Sequence, residues 1–121
     1  MKYKIKSFTD LYAWQEGHKL VVMIYKDTEN FPKKETFGLT NQMRRSAVSI
    51  TSNIAEGFSR ITAKDKCQFY SISQVSISEL QNQLLIARDI SYLNKESFNK
   101  LAEQTIIVNK LVSGLKRIRN V

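Results

Sequence analysis

This sequence predicts an all-α fold, an antiparallel up-down-up-down four-helix bundle, and three observations lead there. The chain has one proline and four glycines in 121 residues, too few breakers for a many-turned β protein. Apolar residues recur at three- and four-residue spacing through four long segments, the period of a helix face. Short connections between those segments force neighbouring helices to run antiparallel.

The first helix is expected over about residues 8–29, with Ser7 or Thr9 as its N-cap. Leu11, Trp14, His18, Val21 and Tyr25 fall on one face of it. A loop follows at Asn30-Phe31-Pro32-Lys33-Lys34, where Pro32 breaks the helical pattern. The second helix, about 36–58, carries the stripe Leu39, Met43, Ala47, Ile50, Ile54 and Phe58. The third, about 63–91, opens with Thr62-Ala63-Lys64-Asp65, a capping box with Asp in place of Glu. Its stripe is Phe69, Ile72, Ser76, Leu80, Leu84 and Ala87. The fourth, about 95–119, starts behind Asn94 and carries Phe98, Leu101, Thr105, Val108, Val112 and Leu115. One domain, 1–121, accommodates all four.

Composition narrows the function classes. Hydrophobic residues at 42% and charged residues at 25% are ordinary for a globular chain. The single cysteine, Cys67, excludes an intrachain disulfide and a thiol-rich metal site, and the single histidine, His18, excludes a His-rich cluster. No ligand pair has a zinc-motif spacing, so no metal and no cofactor are expected. The longest apolar run, Leu20 to Tyr25, is far short of a membrane span, and the basic N-terminus has no apolar segment behind it. A cytoplasmic protein with no membrane partner is expected. Ser97-x-x-Lys100 and Ser113-x-x-Lys116 match a Ser-x-x-Lys spacing without its companion motifs. Glu56 and Glu79 would form a carboxylate pair only if the second and third helices aligned them. No nucleophile–base–orienter set can be assembled, so no catalytic residues are assigned and an enzyme is not expected.

The net charge is +8, with a pI near 9.7. Placed on the bundle, that charge is uneven. One end collects the N-terminus, the connection between the second and third helices, and the C-terminus. It holds nine cations, Lys2, Lys4, Lys6, Arg60, Lys64, Lys66, Lys116, Arg117 and Arg119, against three acids, Asp10, Glu56 and Asp65, for +6. The opposite end balances to zero. The middle, with Lys19, Arg44, Arg45 and Lys110 against Glu16 and Glu79, holds +2. A basic pole of this kind is an electrostatic footprint for a phosphate backbone. Arg44 and Arg45 extend the candidate nucleic-acid-binding set, with Tyr3 and Phe58 near enough to stack on bases. The competing reading is a solvated fringe, since Lys116, Arg117 and Arg119 also complement a helix C-terminus.

The most particular stretch is Gln42-Met43-Arg44-Arg45-Ser46-Ala47-Val48-Ser49-Ile50-Thr51-Ser52-Asn53-Ile54-Ala55-Glu56-Gly57. Ser46, Asn53 and Gly57 flank the apolar stripe, where small residues admit a neighbouring helix. Asn53 can hydrogen-bond across that gap and fix the packing register. Arg45, Ser49, Ser52 and Glu56 line the opposite face.

That stretch resembles the four-helix-bundle family of 23S rRNA intervening-sequence proteins, and the resemblance covers nearly the whole chain. Phe8-x-x-Leu11-x-x-Trp14-Gln15 resembles the family's first-helix opening, and Phe31-Pro32-x-x-Glu35-x-Phe37-Gly38-Leu39 its first loop. Gln42-Met43-Arg44-Arg45 with Ser52-Asn53-Ile54-Ala55-Glu56-Gly57 resembles its second-helix signature, and Ser76-x-x-Glu79-Leu80 its third-helix marker. Ser73 and Val75 depart from the Ala and Gly often found there, and Val75 bears on local packing or a subunit contact. The resemblance implies a ring-like homopentamer. It also implies kinship with accessory proteins of diversity-generating retroelements, which bind nucleic acid and a reverse transcriptase. Some members carry a ribosomal-protein label because their genes lie within rRNA genes. The family offers no catalytic residues to carry over.

Assembly is also legible in the residues. Leu20-Val21-Val22-Met23-Ile24-Tyr25 is apolar all round its helix, and Ile106, Ile107, Val108, Leu111 and Val112 exceed one stripe. A helix buried on one side alternates with polar residues, so a second partner is implied; a broad core contact is the alternative. Two functions follow: a non-enzymatic homo-oligomer binding RNA or DNA nonspecifically, or a scaffold docking an acidic protein such as a polymerase or reverse transcriptase.

Overall fold

The computed structural model describes residues 4–118. Four helices account for most of them: α1 (Tyr12–Thr28), α2 (Leu39–Ser59), α3 (Ala63–Asp89) and α4 (Lys95–Arg117). Short 3-10 turns at Phe8–Asp10 and Lys33–Glu35 precede α1 and α2. No strand occurs among the described residues.

Side-chain contacts fix the helix directions. Ser49 meets Ser76 and Ser73 meets Ile50, while Tyr70 lies against Gly57, so numbers rise along α2 as they fall along α3. The same inversion relates Arg44 to Thr28 between α1 and α2, and Gln81 to Thr105 and Gln74 to Ser113 between α3 and α4. Gln104 of α4 reaches the Glu16 carbonyl of α1, closing the ring of four. Each helix thus packs on its two neighbours in an up-down-up-down order, with the α2–α3 contact the most extensive.

The core runs along the bundle axis. Leu20, Ile24, Met43, Ile50, Ile54, Tyr70, Leu80, Leu101, Val108 and Val112 are wholly buried. The expected stripes of the second and fourth helices stand in it. That of the first is rotated, and that of the third holds at Ser76, Leu80, Leu84 and Ala87 but gives way to Tyr70 and Ser73 in place of Phe69 and Ile72. In α1 the buried line is Ala13, Gly17, Leu20, Ile24 and Thr28, and Trp14, His18, Val21 and Tyr25 flank it. At Gly17 the reason is close approach: a Cβ there would stand 3.0 Å from the Thr51 Cγ2, so glycine faces α2 at that turn and the bulkier Trp14 and His18 lie aside. Trp14 and His18 instead stack on each other at 4.8 Å. In α3 the inward line is Tyr70, Ser73, Ile77, Leu80 and Leu84, while Ile72 is 47% exposed. Ser73 donates from full burial to the Ile50 carbonyl at 2.9 Å, which is why a hydroxyl serves there. Val75 is 60% exposed.

The caps explain the boundaries. Ser7 and Asp10 form a capping box around the first 3-10 turn, delaying α1 to Tyr12. Thr62 and Asn94 accept from the backbone amides of Asp65 and Ser97 as the sequence predicts, but the Asp65 carboxylate does not return the second bond of a capping box. Helix α3 ends at Asp89 because Ser91 takes a left-handed φ of 66°, turning the chain into α4. Glu35 knits the two loops at that end: one carboxylate oxygen accepts from the Leu39 amide at 3.2 Å, the other from the Tyr92 hydroxyl at 2.9 Å. A Cβ on Gly38 would approach the first of those oxygens to 2.7 Å, so glycine there gives the carboxylate access to the start of α2.

Candidate nucleic-acid interface

The end of the bundle that holds the start of α1, the α2–α3 connection and the end of α4 gathers cations from all three. Among the described residues it has Lys4, Lys6, Arg60, Lys64, Lys66, Lys116 and Arg117 against Asp10, Glu56 and Asp65: seven against three, or +4. Lys2, Arg119 and the stacking candidate Tyr3 lie outside the described residues.

These cations divide by what they touch. Lys66 donates to the Phe58 carbonyl at 2.7 Å, capping α2, and sits 5.3 Å from the Phe58 ring. Phe58 is therefore covered and half-buried, not an open stacking surface. Arg60 pairs with Glu56 at 3.0 Å and lies 4.5 Å over the Phe69 ring. Lys116 donates to Gln74 Oε1 at 3.0 Å. Lys4, Lys6, Lys64 and Arg117 are exposed, and their side chains bond no described residue. Two of the three acids are occupied, while the Asp65 carboxylate is exposed and bonds no described residue. Asp10 accepts from the backbone amides of Lys6 at 2.9 Å and Ser7 at 3.1 Å, and those two bonds hold its carboxyl below the usual range. Glu56 is neutralised by Arg60.

Arg44 and Arg45 part company. Arg44 donates to the Thr28 hydroxyl at 2.9 Å and the Tyr25 carbonyl at 3.3 Å, and its guanidinium stacks 4.6 Å over the Tyr25 ring. It caps the C-terminal turn of α1, a structural task the sequence reading did not assign. Arg45 is exposed in an open groove of about 510 Å³ that it shares with Tyr25, Asn41, Arg44, Val48 and Ser52.

Of the signature residues, Gly57 does what small size predicts: a Cβ there would fall 2.6 Å from Tyr70 Cε1. Ser46 is half-buried. Asn53 does not cross to α3; it donates within α2 to the Ser49 carbonyl at 2.8 Å and hydroxyl at 3.1 Å. Ser49, read as outward, stands at the edge of the stripe and makes the crossing bond to Ser76 at 2.8 Å. An amide one turn behind a serine reaches its own helix more readily than the neighbour.

The weighed catalytic constellations do not assemble. Ser113 accepts from Gln74 Nε2 at 2.8 Å and Lys116 donates to Gln74 Oε1 at 3.0 Å, so both are engaged by that amide and not by each other. The antiparallel register sets Glu56 beside the Tyr70 level and Glu79 near that of Ser46, about 15 Å apart along the axis at 1.5 Å per residue. No group of three His, Cys, Asp or Glu side chains could hold a metal among the described residues. No helix there is long and apolar enough to cross a membrane.

A second groove, about 560 Å³, had no sequence signal. Ile5, Leu11 and Tyr12 on one side and Leu111, Gly114 and Ile118 on the other form it, with Lys4, Lys110 and Asp10 as its charged lining. Only the packing of α1 on α4 brings these residues together.

The 23S rRNA-intervening sequence protein family model matches residues 9–114. A solved structure from Bacteroides thetaiotaomicron, described as a protein of unknown function from the S23 ribosomal protein family, is similar at a TM-score of 0.78. It is 21% identical, and the match covers 88% of this chain and 99% of that one. That likeness is one of fold. No curated protein gives a significant match.

Proposed function

The chain belongs to the 23S rRNA-intervening sequence protein family, and from that premise we propose that it is a non-enzymatic, homo-oligomeric cytoplasmic protein that binds RNA or DNA without reading sequence. The observation that carries this is the basic pole. Four exposed cations, Lys4, Lys6, Lys64 and Arg117, bond no described residue, while Asp10 and Glu56 beside them are already occupied. Cations left in water suit a phosphate backbone, and each phosphate neutralised releases counterions.

Salt titration of binding to RNA and DNA tests the pole. Replacing Lys4, Lys6, Lys64 and Arg117 by glutamine should lower the log–log salt slope by about 3, at roughly 0.7–0.9 per contact. Undiminished binding of that variant at low salt would sink the basic-pole reading.

Self-association is supported by apolar side chains that the bundle leaves in water. Ile72, Val75 and Ile86 project from α3, Ile90 from the turn after it, and Ile106 and Ile107 from α4. Burying them needs a second surface. Five-fold closure comes from the family resemblance, and native mass measurement decides it. The lysine-flanked apolar groove favours a second reading, the docking of an acidic amphipathic partner such as a polymerase or reverse transcriptase. In that case one protein should copurify after nuclease treatment and be lost in Gly114→Leu.

A further inference from the structure

We propose that the solvent edge of α2 is a track for a nucleic-acid strand, running from the Arg45 groove to the basic pole. The inference rests on the nucleic-acid reading above and adds a second contact surface to it.

Asn41, Arg45, Val48, Ser52 and Glu56 succeed one another at steps of four, three, four and four, which sets them in one line along a helix. All five are exposed. The side chains of Asn41, Arg45 and Ser52 bond no described residue, so an amide, a guanidinium and a hydroxyl stand open along that line. Glu56 is its one carboxylate, and Arg60 neutralises it at 3.0 Å where the line enters the pole.

Charge pattern separates this edge from an ordinary solvated face. Solvated helices mix signs and pair them at four-residue spacing, as Glu96 and Lys100 do on α4 at 3.2 Å. From Leu39 to Ala55, α2 carries two arginines and no acidic residue. No carboxylate lines the groove at its upper end either. Arg44 forms that groove's wall as a positioning residue. Its bonds to Thr28 and Tyr25 hold a fixed positive charge beside Arg45.

The reach fits a strand. Arg45 and Arg60 are separated by about 22 Å along α2 at 1.5 Å per residue, the span of about six phosphates at 3.4 Å each. The planar, five-donor guanidinium of Arg45 suits phosphate oxygens, and the exposed Lys64 of the pole lies beyond Arg60 at the other end.

The test is a salt titration with oligo(U) of about sixteen nucleotides, long enough for a track and pole together. Arg45→Gln should weaken binding several-fold and reduce the slope by about 0.7, one single-strand phosphate contact. Ser52→Glu, which places a carboxylate in the line, should weaken it further. Lys19→Gln removes the same charge from the exposed face of α1 and should leave the slope unchanged. If Arg45→Gln and Lys19→Gln behave alike, the track is overturned, while loss in the pole variant still upholds the pole. If the unaltered protein shows no salt-dependent binding, both readings fall together. Far-UV ellipticity checks that each exposed substitution leaves the bundle folded.

Discussion

Gly57→Ala puts a single methyl group into a close approach of α2 and α3. The added Cβ would lie 2.6 Å from Tyr70 Cε1, 2.9 Å from Cδ1 and 3.2 Å from the Lys66 carbonyl oxygen. Ordinary carbon contacts are about 3.5–4.0 Å, so something must yield by nearly 1 Å. Tyr70 is wholly buried and the Lys66 oxygen is backbone, so neither gives way easily. Overpacking of this kind costs about 1–3 kcal/mol, against a helix-propensity gain of up to about 1 kcal/mol for Ala over Gly. The net expectation is a loss of about 1–2 kcal/mol. Gly114→Ala is the internal control, because nothing lies within 4 Å of the position its Cβ would take. It should gain about 0.5 kcal/mol, the lower part of the propensity range near a helix end. Urea unfolding followed by far-UV ellipticity, at matched protein concentration, measures both. With m near 2 kcal/mol/M, the two midpoints should separate by about 1 M. A Gly57→Ala midpoint at or above that of the unaltered protein, with m unchanged, would refute the claim that glycine sets the α2–α3 distance.

Arg44→Met keeps the aliphatic stem and removes the bonds to Thr28 and Tyr25 and the stacking on the Tyr25 ring. A loss of about 1–2 kcal/mol in the same urea assay is expected, and an unchanged midpoint would mean that Arg44 does not cap α1. The junction at Glu35 should respond to pH from both sides. Leu39 and Tyr92 hold the Glu35 carboxyl below its ordinary value, so its contribution is present above the unfolded value and fades as acid titrates the folded carboxylate. The same bond raises the Tyr92 hydroxyl, whose contribution is present below the unfolded value and fades as alkali titrates the folded phenol. Chemical shifts of Phe31 and Tyr92, whose rings pack at 5.2 Å, report the junction. Glu35→Gln should flatten the acid limb; an acid limb that persists unchanged belongs to other carboxylates.

Elements were legible wherever a local rule acts alone. Asn94 and Thr62 name helix starts because a side-chain oxygen three residues before an amide is a short-range geometry. The stripe Met43, Ala47, Ile50 and Ile54 was readable because α2 buries its bulkiest residues. The α1 stripe was misplaced because periodicity follows bulk, while Gly17 faces α2 on account of its smallness. The two arginines of the signature look equivalent as letters. Arg44 meets the end of α1 and Arg45 meets water, a distinction made by their angular positions on α2 relative to a helix sixteen residues earlier. Likewise Asn53 and Ser49 exchanged roles because reach across a helix gap depends on where the neighbour lies.

By itself, then, the sequence determined four helices, their antiparallel order and the imbalance of +8, since propensity, period and short connections are local properties that survive without coordinates. Tertiary structure decided which of those charges are free. Lys66, Arg60, Lys116 and Arg44 are engaged by groups on other turns or other helices, and Lys4, Lys6, Lys64, Arg117 and Arg45 remain in water. A charge is fixed by residue type, but its availability depends on what packing brings within about 3 Å of it.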